Sequence, residues 1–280
     1  QFVHISKRIL IFSFLCFATL AQAAEYKAPR GPDGVHPDLN GIWQAINEAH
    51  FDLEIHMASA AMQLRDGPQG PVPTKNVLPM GAVGSVPPSL GVVVGGKIPY
   101  KPEALAKKQE NKKNWADLDP EVKCYLPGVP RATYMPYPFQ IFQGENSLFI
   151  AYQYAGAVRD IFSEDPGPAP VDSWMGQSVA SWDGDTLVLT VTGLNPQTWL
   201  DRAGSHHTEQ MQVVERYTPT GPNHLQYEAT ITDPEVFTEP WKISMPLYRR
   251  MEPDAQLLDF KCVEFVEELL YGKWRRHPLD

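Results

Sequence analysis

From Ser178 to Thr192 the chain reads as two strand-like runs joined at Asp183-Gly184. Asp-Gly tolerates the positive φ angles of a two-residue type I′ turn, so the stretch predicts a β-hairpin. The same period of two continues well beyond it. Leu187, Leu189 and Val191 share one face, as do Leu225, Tyr227, Ala229 and Ile231, and again Trp241, Ile243, Met245 and Leu247. Gln226, Glu228, Thr230, Lys242 and Ser244 alternate with them and belong on the face that meets water. Half-buried antiparallel strands alternate in this way, whereas buried parallel sheets read as continuous apolar runs.

Further strands are predicted over 139–143, 147–154 and 157–163 before the hairpin, and over 209–218, 225–232, 241–248 and 256–265 after it. Nine or ten short strands in sequence order, with no helices between them, predict a mainly β fold. Its expected form is an antiparallel up-and-down meander closing into a lipocalin-like barrel, since closure removes the exposed edges. The proline-rich segment Cys124 to Arg131 is expected as an extended edge or loop. Leu53, His56, Met57, Ala60 and Leu64 recur at helical spacing and predict a short helix over 52–64. Residues 65–100 are rich in Gly and Pro and are expected to form an arm lying across the body. Pro102 suits the first turn of a helix running to about Trp115. The domain plan is thus 1–24 as a signal peptide and 25–280 as one β-barrel domain, with 65–117 as a loop and helix insertion.

The signal peptide is expected because His4, Lys7 and Arg8 precede an apolar run from Ile9 to Leu20 and the small-x-small sequence Ala21-Gln22-Ala23. That run is shorter than the roughly 20 residues of a permanent anchor. The expected location is periplasmic or secreted, with no integral membrane segment in the mature chain. Cleavage leaves 22 basic against 33 acidic residues, a net charge of −11, which argues against nucleic acid as a partner. The six lysines between Lys97 and Lys113 are interrupted by Glu103 and Glu110 and read as a solvated helix face. Cleavage also leaves two cysteines, Cys124 and Cys262, in a compartment where thiols tend to pair, and a disulfide between them is expected.

A meandering barrel of this size can enclose a small ligand, so the expected partner is a small, mainly apolar molecule in or at the mouth of the barrel. Trp174, Trp199, Tyr134 and Tyr152 are candidates for its walls, and Arg131 and Arg159 for holding an anionic group through bidentate contacts. The alternative is a periplasmic enzyme of the lyase, isomerase or hydrolase type. It would use His206 or His207 as acid and base, with Asp201 orienting the ring. Adjacent residues on an extended chain point to opposite faces, so only one of the two histidines is expected to face a cavity. Neighbouring histidines rarely chelate one ion, and no metal site is expected. No phosphate loop, nucleophile elbow or haem motif is present, and no cofactor is expected.

Several short motifs resemble an uncharacterised family of exported bacterial proteins with a lipocalin-like, calycin-type β-barrel body. They are Asp38-Leu39-Asn40-Gly41-Ile42-Trp43, Cys124-Tyr125-Leu126-Pro127-Gly128-Val129-Pro130-Arg131, Trp174-Met175-Gly176, Trp182-Asp183-Gly184-Asp185-Thr186-Leu187-Val188, Thr198-Trp199-Leu200-Asp201, Val214-Glu215-Arg216-Tyr217 and Asp233-Pro234. The resemblance implies export and a barrel body, and carries no catalytic residues with it.

Overall fold

The alternating runs fold as strands with their apolar faces turned to one common interior. A computed structural model describes residues 26–60, 66–67, 70–71 and 85–260. Its nine barrel strands are β1 (Gly41–Ala45), β2 (Phe139–Gln143), β3 (Leu148–Tyr152), β4 (Val158–Phe162), β5 (Gln177–Asp183), β6 (Thr186–Thr192), β7 (Gln212–Gly221), β8 (His224–Thr232) and β9 (Trp241–Arg249). They close in the order β1-β9-β8-β7-β6-β5-β4-β3-β2, with β1 pairing β2 to complete the ring. The fold is therefore mainly β and a closed barrel. Every interior residue picked out by alternation on β6, β8 and β9 is at most 5% exposed.

The meander has one exception, and counting the strands explains it. In a closed ring the direction must return to its start, so an odd number of strands requires an odd number of parallel pairs. The parallel pair is β4 with β5, in the register Ile161 opposite Ser178 and Phe162 opposite Val179. Residues 163–176 between them carry the chain back along the barrel, which a two-residue turn cannot do.

β1 has five residues and β9 has nine, so β1 covers only the Leu247 to Arg249 part of that edge. The rest is covered by the end of the Gly- and Pro-rich segment. The Val94 amide donates to the Lys242 carbonyl at 2.8 Å and the Ser244 amide to the Val92 carbonyl at 2.9 Å. At the β1–β9 seam the Arg249 guanidinium lies 4.2 Å from the centre of the Trp43 ring. Gly41 has a φ of +145°, and a Cβ there would collide with the same guanidinium. The Gly-x-Trp pattern thus leaves room for the arginine that joins first strand to last.

Three expectations need correction. The helix over 52–64 is absent across the described residues 52–60. There the Leu53 amide is taken by Asp201, the His56 and Ser89 backbones exchange two 3.0 Å bonds, and Ser59–Ala60 pairs with Ser85–Val86. Long-range partners outcompeted the i to i−4 ladder. The final strand over 256–265 is not formed at 256–260, and its remainder lies outside the described residues. At the hairpin, Asp183 pairs with Thr186, so the turn residues are Gly184 and Asp185. Positive φ falls only on Gly184, at 58°, which is the type II′ pattern rather than I′.

The lysine-rich segment departs from expectation only at Lys108, which is buried. It does form a helix, α1 (Pro102–Lys113), with Pro102 in the first turn, Glu103 near the positive end and Lys112 and Lys113 near the negative end. Lys107, Lys112 and Lys113 are exposed, as expected of a solvated face, while Ala104, Lys108 and Asn111 are buried and dock the helix on the body. Lys108 pairs with Glu54 at 2.6 Å and Lys112 with Asp52 at 3.0 Å. Among the described residues, no helix is long and apolar enough to cross a membrane.

Candidate functional site

Residues 193–211, between β6 and β7, fold back over one end of the barrel. Trp199 and His206 form an antiparallel bridge, and the Leu200 amide donates to the Ser205 carbonyl at 2.7 Å, closing a tight loop. Gly204 at its tip has a φ of +86°, and α1 packs directly on it. A Cβ there would meet the Lys108 carbonyl and the Asn111 Cβ, each at 2.6 Å. The Asn111 amide donates to the Gly204 carbonyl at 3.1 Å. Helix and loop thus meet at this glycine.

The space left beside that contact is a cavity of about 310 Å³. The helix contributes Lys107 and Asn111, and the loop contributes Pro196, Gln197, Trp199 and His206. The remaining wall comes from the segment that follows α1, through Leu118, Pro120, Lys123 and Tyr125. Tyr125 stacks on Trp174 at 4.8 Å with 10° between the rings, which holds its face in place. Trp199 and Trp115 form a small buried cluster of their own.

His206 lines this cavity and is 4% exposed, yet its Nδ1 is buried without a hydrogen-bond partner. Burial pushes the ring down to about 4, with the Lys107 charge acting in the same direction, so it is neutral at neutral pH. His207 faces away, as alternation requires. Its Nε2 lies 2.6 Å from the Thr198 hydroxyl and its Nδ1 2.8 Å from the Thr208 carbonyl, so that carbonyl fixes Nδ1 as the protonated nitrogen. Burial holds it below the ordinary histidine value too.

Asp201 does not orient either ring. One oxygen accepts from the Leu53 amide and the other from the Ser205 amide, both at 3.0 Å, and the side chain is fully buried. Burial raises its carboxyl above the usual aspartate range, against the opposing pull of Lys108. Its geometry ties the loop to the segment after β1, a structural task. Comparison of the chain with protein-family models, curated proteins and solved structures gave no match. The site's meaning therefore rests on its own chemistry.

The two arginines are engaged elsewhere. Arg131 is 1% exposed and donates both terminal nitrogens to Asp119 at 2.8 Å. Nearby Glu121 pairs with Arg202 at 2.8 Å, and Arg202 lies over the Trp115 ring at 4.7 Å. This is a bidentate contact of the predicted kind, with a carboxylate of the same chain as its occupant. Tyr134 is also inside, donating its hydroxyl to the Leu200 carbonyl at 2.8 Å.

Arg159 points into the barrel, where it donates to Glu215, to the Ser178 hydroxyl at 2.7 Å and to the Tyr152 hydroxyl at 3.4 Å. The structure thus brings Trp199 and His206 to one cavity, with Trp174 behind Tyr125. Asp201, His207, Arg131, Tyr134, Tyr152 and Arg159 are held in internal hydrogen bonds. Sequence reasoning missed Lys107, Lys123 and Tyr125 at the cavity and Glu215 inside the barrel.

A second cavity, of about 270 Å³, lies near Trp182 and the β2–β3 turn. Its histidine is already paired, with His36 Nδ1 2.7 Å from Asp33 and the ring stacked on Trp182 at 4.3 Å. Among the described residues, no three His, Cys, Asp or Glu side chains converge as metal ligands do.

Proposed function

We propose that this is an exported β-barrel protein that binds a small, mainly apolar ligand at the mouth of the barrel, in the cavity between α1 and the 193–211 loop. One observation carries the reading. A 310 Å³ cavity beside α1 is walled by aromatic and proline side chains, with the neutral imidazole of His206 as a polar group in its lining. The surrounding Trp199, Tyr125 and Pro196 surfaces supply apolar contact area.

The acid–base alternative draws no support from this loop, because both oxygens of Asp201 accept backbone amides. Export rests on the amino-terminal sequence, which lies outside the described residues. Native mass spectrometry of protein purified from its own source tests the reading. We expect a mass excess that disappears on denaturation and is absent from Trp199→Ala. A spectrum at the bare mature mass, or a mass excess that Trp199→Ala retains unchanged, would reject it.

A further inference from the structure

The charge lining this cavity runs against the charge of the chain. The protein has 33 acidic and 24 basic residues, yet among the described residues Lys107 and Lys123 line the cavity and no carboxylate does. Other lysines of α1 are neutralised, Lys108 by Glu54 and Lys112 by Asp52. Among the described residues, neither Lys107 nor Lys123 takes part in an ion pair. Two uncompensated ammonium groups at the rim of one concavity raise the local concentration of anions.

The interior of the cavity favours a flat ring. Tyr125 is held flat by its 10° stack on Trp174, and Trp199 is fixed by the bridge to His206 and by packing on Trp115. Pro120 and Pro196 add rigid apolar edges. His206 lines the same cavity with a neutral ring. A neutral imidazole carries one lone pair and one N–H, and tautomer exchange can place either on the accessible side of the ring. It can therefore meet an acid group of either protonation state.

We infer that the ligand is a planar aromatic carboxylate or a comparable flat organic anion, its ring between Trp199 and Tyr125 and its acid group toward Lys107, Lys123 and His206. The inference rests on the proposed ligand-binding role of the same cavity and adds the charge and shape of the ligand. It separates this site from the apolar pocket of a simple carrier, which gains nothing from an anionic head.

Titration calorimetry of the full mature chain with 2-naphthoate and its neutral amide, 2-naphthamide, tests it. Naphthoate is expected to bind about tenfold more tightly than the amide. Lys107→Gln and Lys123→Gln are each expected to weaken naphthoate by about two- to fivefold, the range for a partly solvated ion pair, and to leave the amide unaffected. Both lysines lie at the rim, and a thermal melt of each variant confirms that it folds. Equal affinity for the two probes, or lysine variants that bind naphthoate as well as the parent does, overturns the anionic ligand while leaving the cavity reading intact. Failure of both probes to bind, or binding that survives Trp199→Ala, overturns the inference and the cavity reading together.

Discussion

Inside the barrel the Arg159 guanidinium donates to the Glu215 carboxylate, whose second oxygen accepts the Tyr217 hydroxyl at 3.0 Å and the Tyr227 hydroxyl at 2.8 Å. Both charged residues are at most 2% exposed. Nearby Glu215 holds the guanidinium in its charged form against the desolvation that opposes it. Glu215→Gln leaves that charge buried without a counter-ion and is expected to cost about 3–5 kcal/mol, read from the urea midpoint. The double variant Arg159→Met with Glu215→Leu removes both charges and is expected to recover much of the loss. A Glu215→Gln protein that unfolds at the parent midpoint would show that the pair contributes nothing.

Asp201 makes a different prediction, because its partners are backbone amides. Asp201→Asn replaces one acceptor oxygen by a donor that faces the Leu53 or the Ser205 amide. The expected cost is about 1–3 kcal/mol, with loss of hydrogen-exchange protection at those two amides ahead of the barrel strands. Uniform protection across loop and barrel would assign the residue some other task.

Gly204 and Gly156 form a matched pair for testing how α1 is seated. Both have positive φ, 86° and 60°, so alanine strains the backbone at each. Only at Gly204 does the added Cβ strike the helix, while at Gly156 it meets nothing within 4 Å. Gly204→Ala is expected to lose roughly 1–3 kcal/mol more than Gly156→Ala in thermal melts, because the helix must move away. Equal losses would mean that the helix shifts at no cost.

The expected bridge between Cys124 and Cys262 remains a proposal, since Cys262 lies outside the described residues. It would close a loop of well over 100 residues, which the chain-entropy model values at roughly 4–5 kcal/mol. Alkylation of the folded protein without reductant is expected to leave both thiols unmodified in the mass spectrum. Two alkylated cysteines sink the idea.

The barrel was legible because its signal is periodic and repeated. Leu187, Leu189 and Val191 set one face, and the strands after them repeat it. The parallel β4–β5 pair was not legible strand by strand, since it follows from the total number of strands in the ring. Glu215 was readable in principle: Val213 and Tyr217 flank it at intervals of two, which turns the carboxylate inward. Polarity argued for water and the period argued for the core, and Arg159 with two tyrosine hydroxyls made burial tolerable.

The cavity was the least legible part. Trp199 and His206 were visible because they share a loop, whereas Lys107 comes from a helix 92 positions before Trp199 and meets it only through the contact at Gly204. No local pattern encodes that meeting. Burial of Lys108 within an otherwise solvated lysine run was not legible, because its partner Glu54 lies in a segment that read as a helix of its own.

The buried histidines each disfavour the folded state as the pH falls. His206 is pushed down to about 4 from an ordinary value of 6.5, chiefly by burial, and burial also lowers His207 and His50. Between those pH values the unfolded chain binds a proton at His206 that the folded chain refuses, so stability rises with pH across this window. The contribution of His206 is fully present above 6.5, is lost progressively as pH falls, and changes no further below about 4. His206→Gln removes this proton site while keeping a polar group in the cavity. The melting temperature of the parent is therefore expected to fall more steeply than that of the variant as pH is lowered from 6.5 toward 4. Parallel curves for the two proteins would show that His206 takes up its proton equally well in the folded state.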